Sequence, residues 1–240
     1  MTASDDALEQ VLPDSLGYRS AQAWVETDLD RFAARLSRVI PLLDVMSAAG
    51  GPRFHSRMSQ VQTGDLTLST EVHTPIYGSF GEDPGRATIF FPLHGEAAMR
   101  IEGKNLHARQ GETVVFMPGQ AYTAETTLCS GVVFSVDPQR LANLAAELAG
   151  DPSCSDRFLP AFANPQQWHQ TDPQRRHLLH LMRRAFSLID TVPGNERRLP
   201  DYLRLDDLLF RIVTVLVHPE LLSLDMPLAP PLRTGRAGES

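Results

Sequence analysis

Between about residue 53 and residue 136 apolar and polar positions alternate, whereas on either side of that stretch apolar positions recur every three to four residues. The first period is that of strands with one buried face, the second that of amphipathic helices. "RFHSRMSQV" and "LTLSTEVHT" flank the turn signal "QTGD" and read as a hairpin. After the glycine- and proline-rich loop "GSFGEDPGR" comes "ATIFFPLHGEAAMRIEG". In it Ile89, Phe91, Leu93, Ala97, Met99 and Ile101 alternate with Phe90, His94, Glu96, Ala98 and Arg100. "KNLHARQG", "ETVVFMPG" and "LCSGVVFSVD" follow. About seven or eight short strands, with turns and no helix between them, predict an antiparallel sandwich or barrel.

The flanking segments predict helices with legible starts. "TDLDRFAARLSRVI" has Thr27 or Asp28 as a cap and apolar Leu29, Phe32, Leu36 and Val39. "DPQRLANLAAELAG" and "DPQRRHLLHLMRRAFSLID" place Asp137 and Asp172 as N-caps, with Pro138 and Pro173 at the first helical position; Gly150 stops the first of them. A third helix, "PDYLRLDDLLFRIVTVLVHPELL", has Leu205, Leu208, Leu209, Ile212, Val213 and Leu216 on a broad apolar face. These faces need burial on the barrel or on a second copy of the chain. The expected class is α+β: an antiparallel, jelly-roll type barrel with a C-terminal helical annex. Residues 1–19 are expected to be flexible. One domain is expected over 20–222, with the barrel at about 50–136 and helices at 137–222, followed by a proline-rich, disordered tail at 223–240. No internal repeat is present.

Composition narrows the functional classes. With 42% hydrophobic and 21% charged residues and no apolar run near the ~20 residues of a membrane span, a water-soluble protein is expected. The acidic N-terminus lacks the basic-then-apolar order of a secretory signal, and the expected compartment is the cytoplasm. Cys129 and Cys154 stand 25 positions apart without CxxC spacing and read as reduced thiols. Twenty-two basic against 29 acidic residues, net −7, argue against a large phosphate-binding surface. The richest basic cluster, Arg175 to Arg184, flanks apolar Leu178, Leu179, Leu181 and Met182 and reads as a solvated helix face.

Candidate chemistry adds little. GxSxG, Walker and GxGxxG patterns are absent. His94-Gly95-Glu96 matches the HxE of zinc deaminases, but no PCxxC follows. His177 and His180, at i and i+3 on a helix, lack an evident third metal ligand. Asp206 and Asp207 sit near a helix start, where they favour the dipole, and Asp207 can pair with Arg211. "GETVVFMPGQAY" resembles the closing turn of cupin barrels. Metal-binding cupins combine an HxH pair and a downstream glutamate with a histidine shortly after this Pro-Gly turn. Here HxH is missing, Tyr122 stands in the histidine's place, and a neutral phenol is a poor metal ligand. No metal and no cofactor is expected.

The order of "DLDRFAARL", the strand pair "FFPLHGEAAMRIEG" and "GETVVFMPG", then "DPQRLANLAAELAG" and the late "LDDLLFRIVTVL" resembles the N-terminal cupin-like domain of AraC-type transcriptional regulators, over about residues 20–222. The resemblance implies a non-catalytic regulatory domain whose barrel senses a small molecule or mediates self-association and whose helices form a dimer interface. Ligand-contact candidates are His73, Tyr77, Phe91, Met99, Phe116 and Tyr122; dimer candidates are Leu178, Leu181, Leu208, Ile212 and Val215. The partners it implies are a small effector and either a second copy or an AraC-type regulator. Only 18 residues follow Leu222, too few for the family's two helix-turn-helix units, so no direct nucleic-acid contact and no membrane contact are expected. Either a free-standing sensor or a truncated gene fits that length. The rival readings are a metal-dependent cupin enzyme (isomerase or dioxygenase) and a non-sensing adaptor.

Overall fold

Segments such as "ATIFF", "TVVFM" and "GVVFSV" are apolar at both parities, so strands built from them have two apolar faces and need cover on each. The fold supplies both covers. The computed structural model describes residue 12 and residues 16–48, 51–191 and 203–222. The strands are β1 (Trp24–Glu26), β2 (Leu42–Ser47), β3 (Ser56–Thr63), β4 (Leu66–His73), β5 (Ile76–Phe80), β6 (Ala87–His94), β7 (Glu96–Ile101), β8 (Lys104–Arg109), β9 (Thr113–Met117), β10 (Tyr122–Thr126), β11 (Cys129–Val136) and β12 (Gln166–His169). They pair antiparallel in the order β1-β3-β4-β11-β6-β9-β8-β7-β10-β5-β2, with β12 added on β9. β8 and β9 share a single residue pair, Arg109 with Thr113, and there the sheet folds over on itself. Phe90, Val115 and Val133 from one half then meet Met99, Ile101 and Tyr122 from the other in one interior cluster. The barrel and helical annex expected from sequence are both present.

Five α-helices lie among the described residues: α1 (Leu29–Leu36), α2 (Pro138–Leu148), α3 (Ser155–Phe162), α4 (Pro173–Thr191) and α5 (Leu205–Val217). α1 sends Phe32 and Leu36 into the barrel interior and is capped by Asp28, which accepts from the Asp30 and Arg31 amides at 2.9 and 3.3 Å. The other helices cover the opposite face of the β4-β11-β6-β9 wall. Leu68, Phe91, Phe116 and Phe134 pack there against Leu141, Met182, Phe186 and Leu209. Asp137 caps α2 through the Gln139 and Arg140 amides, at 2.8 and 3.4 Å. Asp172 accepts from the Gln174 amide at 3.0 Å in the same way. Asp137→Ala is expected to cost about 1 kcal/mol, read as a lower urea midpoint with an unchanged slope.

Several expectations need correction. Leu12, Leu16 and Tyr18 are buried, because Gly17 donates its amide to the Thr70 hydroxyl at 2.8 Å and Arg19 donates its amide to Asp190 at 2.6 Å. Residues 1–11 and 13–15 and the predicted tail, 223–240, lie outside the described residues. The early strands β1 and β2, the short helix α3 and the four-residue β12 carry no readable period and were not foreseen. The last helix begins at Leu205 instead of near residue 200. Residues 200–202 also lie outside the described set.

Candidate functional site in the barrel interior

The interior side of β4 carries Ser69, Glu71 and His73, the polar parity of "LTLSTEVHT", while Leu66 and Leu68 point to the helices. This polar face looks into the protein. Glu71 is only 5% exposed and His73 only 2%. They line a small cavity of about 50 Å³, together with Leu36 and Ile40 at the α1 end, Leu42 and Val45 of β2, and Met99, Tyr122, Ala124 and Val133 of the barrel. At about 10–15 Å³ per water, that is room for roughly three or four non-hydrogen atoms. Phe80 and Tyr122 stack at 4.3 Å between ring centres and close one side.

The electrostatics follow from burial without a counter-ion. No lysine or arginine lines the cavity among the described residues. Burial therefore pushes the Glu71 carboxyl up to about 8 and the His73 imidazole down to about 4, so near neutrality both are uncharged. His73 Nδ1 lies 2.9 Å from the Thr74 carbonyl. Only an N–H can serve a carbonyl, so Nδ1 holds the proton and Nε2 is a bare acceptor. Nε2 is 3.9 Å from Glu71 Oε1, beyond hydrogen-bonding distance, and Glu71 Oε2 has no partner. Burial also raises the Tyr122 phenol and the Cys129 thiol far above their ordinary values, so neither ionises near neutrality. Cys129 and Cys154 are free thiols.

Among the described residues no three His, Cys, Asp or Glu side chains converge as metal ligands. Among the described residues the cavity lining offers one carboxyl, of Glu71, and one free imidazole nitrogen, His73 Nε2.

The family model for the AraC-binding-like domain matches residues 32–205. The chain belongs to the AraC-binding-like domain family. This AraC-binding-like domain is similar in fold to the AraC-like transcriptional activator CuxR, with 14% identity, 82% of this chain and 70% of the other covered, and a TM-score of 0.57. At that identity the likeness concerns the fold alone. An ethanolamine utilization protein Q from Salmonella typhimurium (19% identity, 34% and 68% covered, TM-score 0.28) and KdgF from a Halomonas species (15%, 39% and 86%, 0.29) are too distant in fold to carry an argument. No curated protein matches the sequence.

Within this AraC-binding-like domain the expected ligand-contact residues separate into three groups. His73, Met99 and Tyr122 line the cavity. Tyr77 is 38% exposed on the outer side of β5, where Ile76 and Phe80 point inward. Phe91 and Phe116 lie on the helical side, Phe91 edge-on to Phe186 at 5.6 Å and Phe116 beside Trp168 at 5.8 Å. Neither reaches the interior, because Phe90 and Val115 occupy the inward parity of their strands. The expected dimer residues separate as well. Ile212 and Val215 are buried within the chain, and Leu178 and Leu208 pack partly against the same core. Leu181 alone of the five is substantially exposed, at 41%, and Leu188 joins it two turns along α4 at 44%.

Glu71 was missed. His73, two positions on and of the same parity, is among the expected contact residues, but a lone glutamate in "LTLSTEVHT" reads as a solvated side chain. Three acidic positions weighed in sequence have structural partners. Glu96 accepts from Arg109 at 2.8 Å, Asp207 accepts from Arg211 at 3.0 Å, and Asp206 lies 3.6 Å from Arg140. No described helix is long and apolar enough to cross a membrane.

Proposed function

We propose that this chain is a cytoplasmic regulatory domain without catalysis of its own, acting in transcription through effector-dependent association with a second copy or with an AraC-type regulator that carries the DNA contacts. The observation that carries this reading is the composition of the cavity wall, in which N-terminal elements complete a surface formed mainly by the barrel strands. Leu36 and Ile40 at the α1 end and Leu42 and Val45 of β2 close what β4, β7, β10 and β11 open. A ligand inside therefore bears on α1, which is tied outward by Arg35 to Glu26 at 3.0 Å and stacked by the same guanidinium over Trp24. An effector shifts association only if it favours one placement of these elements over another. The exposed Leu181 and Leu188 of α4 are the proposed contact.

Sedimentation velocity tests the proposal. The wild-type chain is expected to show a monomer–dimer equilibrium in the micromolar range. Leu181→Asp with Leu188→Asp is expected to abolish it without loss of helical circular dichroism. Ala124→Leu, which puts side-chain atoms into the cavity, is expected to move the equilibrium several-fold. A wild-type chain that stays monomeric, or a dimer constant indifferent to Ala124→Leu, would sink the reading.

A further inference from the structure

We infer that the barrel cavity is a site for a small primary ammonium ion, the charged end of a short-chain amine, held between the Glu71 carboxylate and His73 Nε2. The inference rests on the reading of the barrel as the effector site and names the chemistry of the effector. Two buried acceptors stand 3.9 Å apart with no donor between them. Glu71 Oε2 has no partner, and His73 has spent its only proton on the Thr74 carbonyl. A proton on Glu71 would serve one acceptor at most. An alcohol brings one hydrogen, and a carboxylate brings charge of the wrong sign. A primary ammonium brings three hydrogens on one atom and the positive charge that the lining lacks. The remaining wall, with Met99, Ala124, Val133 and the Phe80–Tyr122 stack, accepts one to three carbons, in keeping with a cavity of about 50 Å³.

Proton linkage gives the site a signature. In the empty barrel the carboxyl is held protonated up to about pH 8, so a bound ammonium ionises it and releases a proton. The groups that bear on Glu71 are His73 on its own strand, Tyr122 of β10, Cys129 of β11 and Tyr18 of the N-terminal segment, with Glu96 acting in turn on Cys129 and Arg19 on Tyr18. Burial keeps His73, Tyr122, Cys129 and Tyr18 neutral between pH 6 and 8. Glu71 alone among them then sets the pH dependence.

Ligand-observed NMR on the full chain, with methylammonium, ethylammonium and propylammonium chlorides against ethanol and sodium acetate at constant ionic strength, tests this. Saturable ammonium binding is expected, no tighter than about 0.1 mM for so few atoms. Affinity is expected to rise about tenfold from pH 6 to pH 7 and to fall at least tenfold in Glu71→Gln. Ala97→Val, which narrows the cavity without touching the carboxyl, is expected to weaken propylammonium more than methylammonium. Equal or tighter binding of ethanol or acetate, ammonium binding that survives Glu71→Gln, or no ammonium binding up to 50 mM, roughly five hundred times that limit, would each overturn the inference. Acetate or ethanol in first place leaves the barrel as effector site and rejects only the amine. Ammonium binding that leaves sedimentation unchanged supports the site and counts against control of association.

Discussion

Replacing Phe186 with alanine is expected to destabilise the domain by about 3–5 kcal/mol, the largest loss at any single position considered. Phe186 is the wedge between the sheet and its helical cover. It sits edge-on to Phe91 at 5.6 Å and to Phe134 at 6.2 Å, and is almost fully buried. Close packing on both sides leaves little room for collapse into the space a missing ring would leave. The urea midpoint should fall by about 1–2 M. Far-ultraviolet circular dichroism, dominated by helices, and the fluorescence of the buried Trp168 should fall together, because the helical layer and the sheet share one core. Separate transitions would show that the helices unfold on their own. Tyr77→Ala on the outer side of β5 is the contrast and should change stability by no more than about 0.5 kcal/mol.

The second large effect is on pH. Glu71 titrates near 8 in the native chain against an ordinary 4.5, so its contribution is complete below pH 4.5 and is lost as pH rises towards 8. His73 titrates near 4 against an ordinary 6.5, so its contribution is complete above pH 6.5 and is lost as pH falls towards 4. Between 4.5 and 6.5 the two slopes oppose each other. From 6.5 to 8 only Glu71 acts, over one and a half pH units at about 1.4 kcal/mol each. Stability should therefore decline by about 2 kcal/mol across that interval, a fall in Tm of roughly 4–8 °C for a chain of this size. Glu71→Gln keeps the shape, removes the titration and should flatten the decline. Calorimetry at pH 6.5 and 8.5 decides, and an equal decline in both chains would show that the buried carboxyl is not its source.

On the central strands against which Phe186 packs, the sequence reads correctly along the strand and ambiguously across it. Phe90 and Phe91, or Val115 and Phe116, are equally apolar neighbours, and the polar residues that share the inward parity, Thr88 and Thr113, read as marking a solvent face. For that reason the sequence alone does not place Phe91 and Phe116 on the helical side, where the structure has them. On β5, β7 and β10 the outer face is exposed to water. There the alternation places Met99 and Tyr122 inside, and Tyr77 falls outside by the same rule. Leu208, Ile212 and Val215 pack wholly or partly within the chain, which the sequence does not show, since an apolar helix face shows that it is covered but not by what.

The strand and helix periods, the Asp28, Asp137 and Asp172 caps, the Asp207–Arg211 pair and the order of motifs that carries the AraC-binding-like resemblance were determined by the sequence alone, because each depends on residues within a few positions of one another. Which wall of the sheet the helices cover, and hence that the polar parity of β4 is closed off from water as far as Glu71, was decided only by the tertiary structure. That decision takes Glu71 from water, leaves its Oε2 without a partner and raises its titration to about 8. Side-chain period specifies two faces, but only the competition among all apolar surfaces of the chain for burial determines which face meets the solvent.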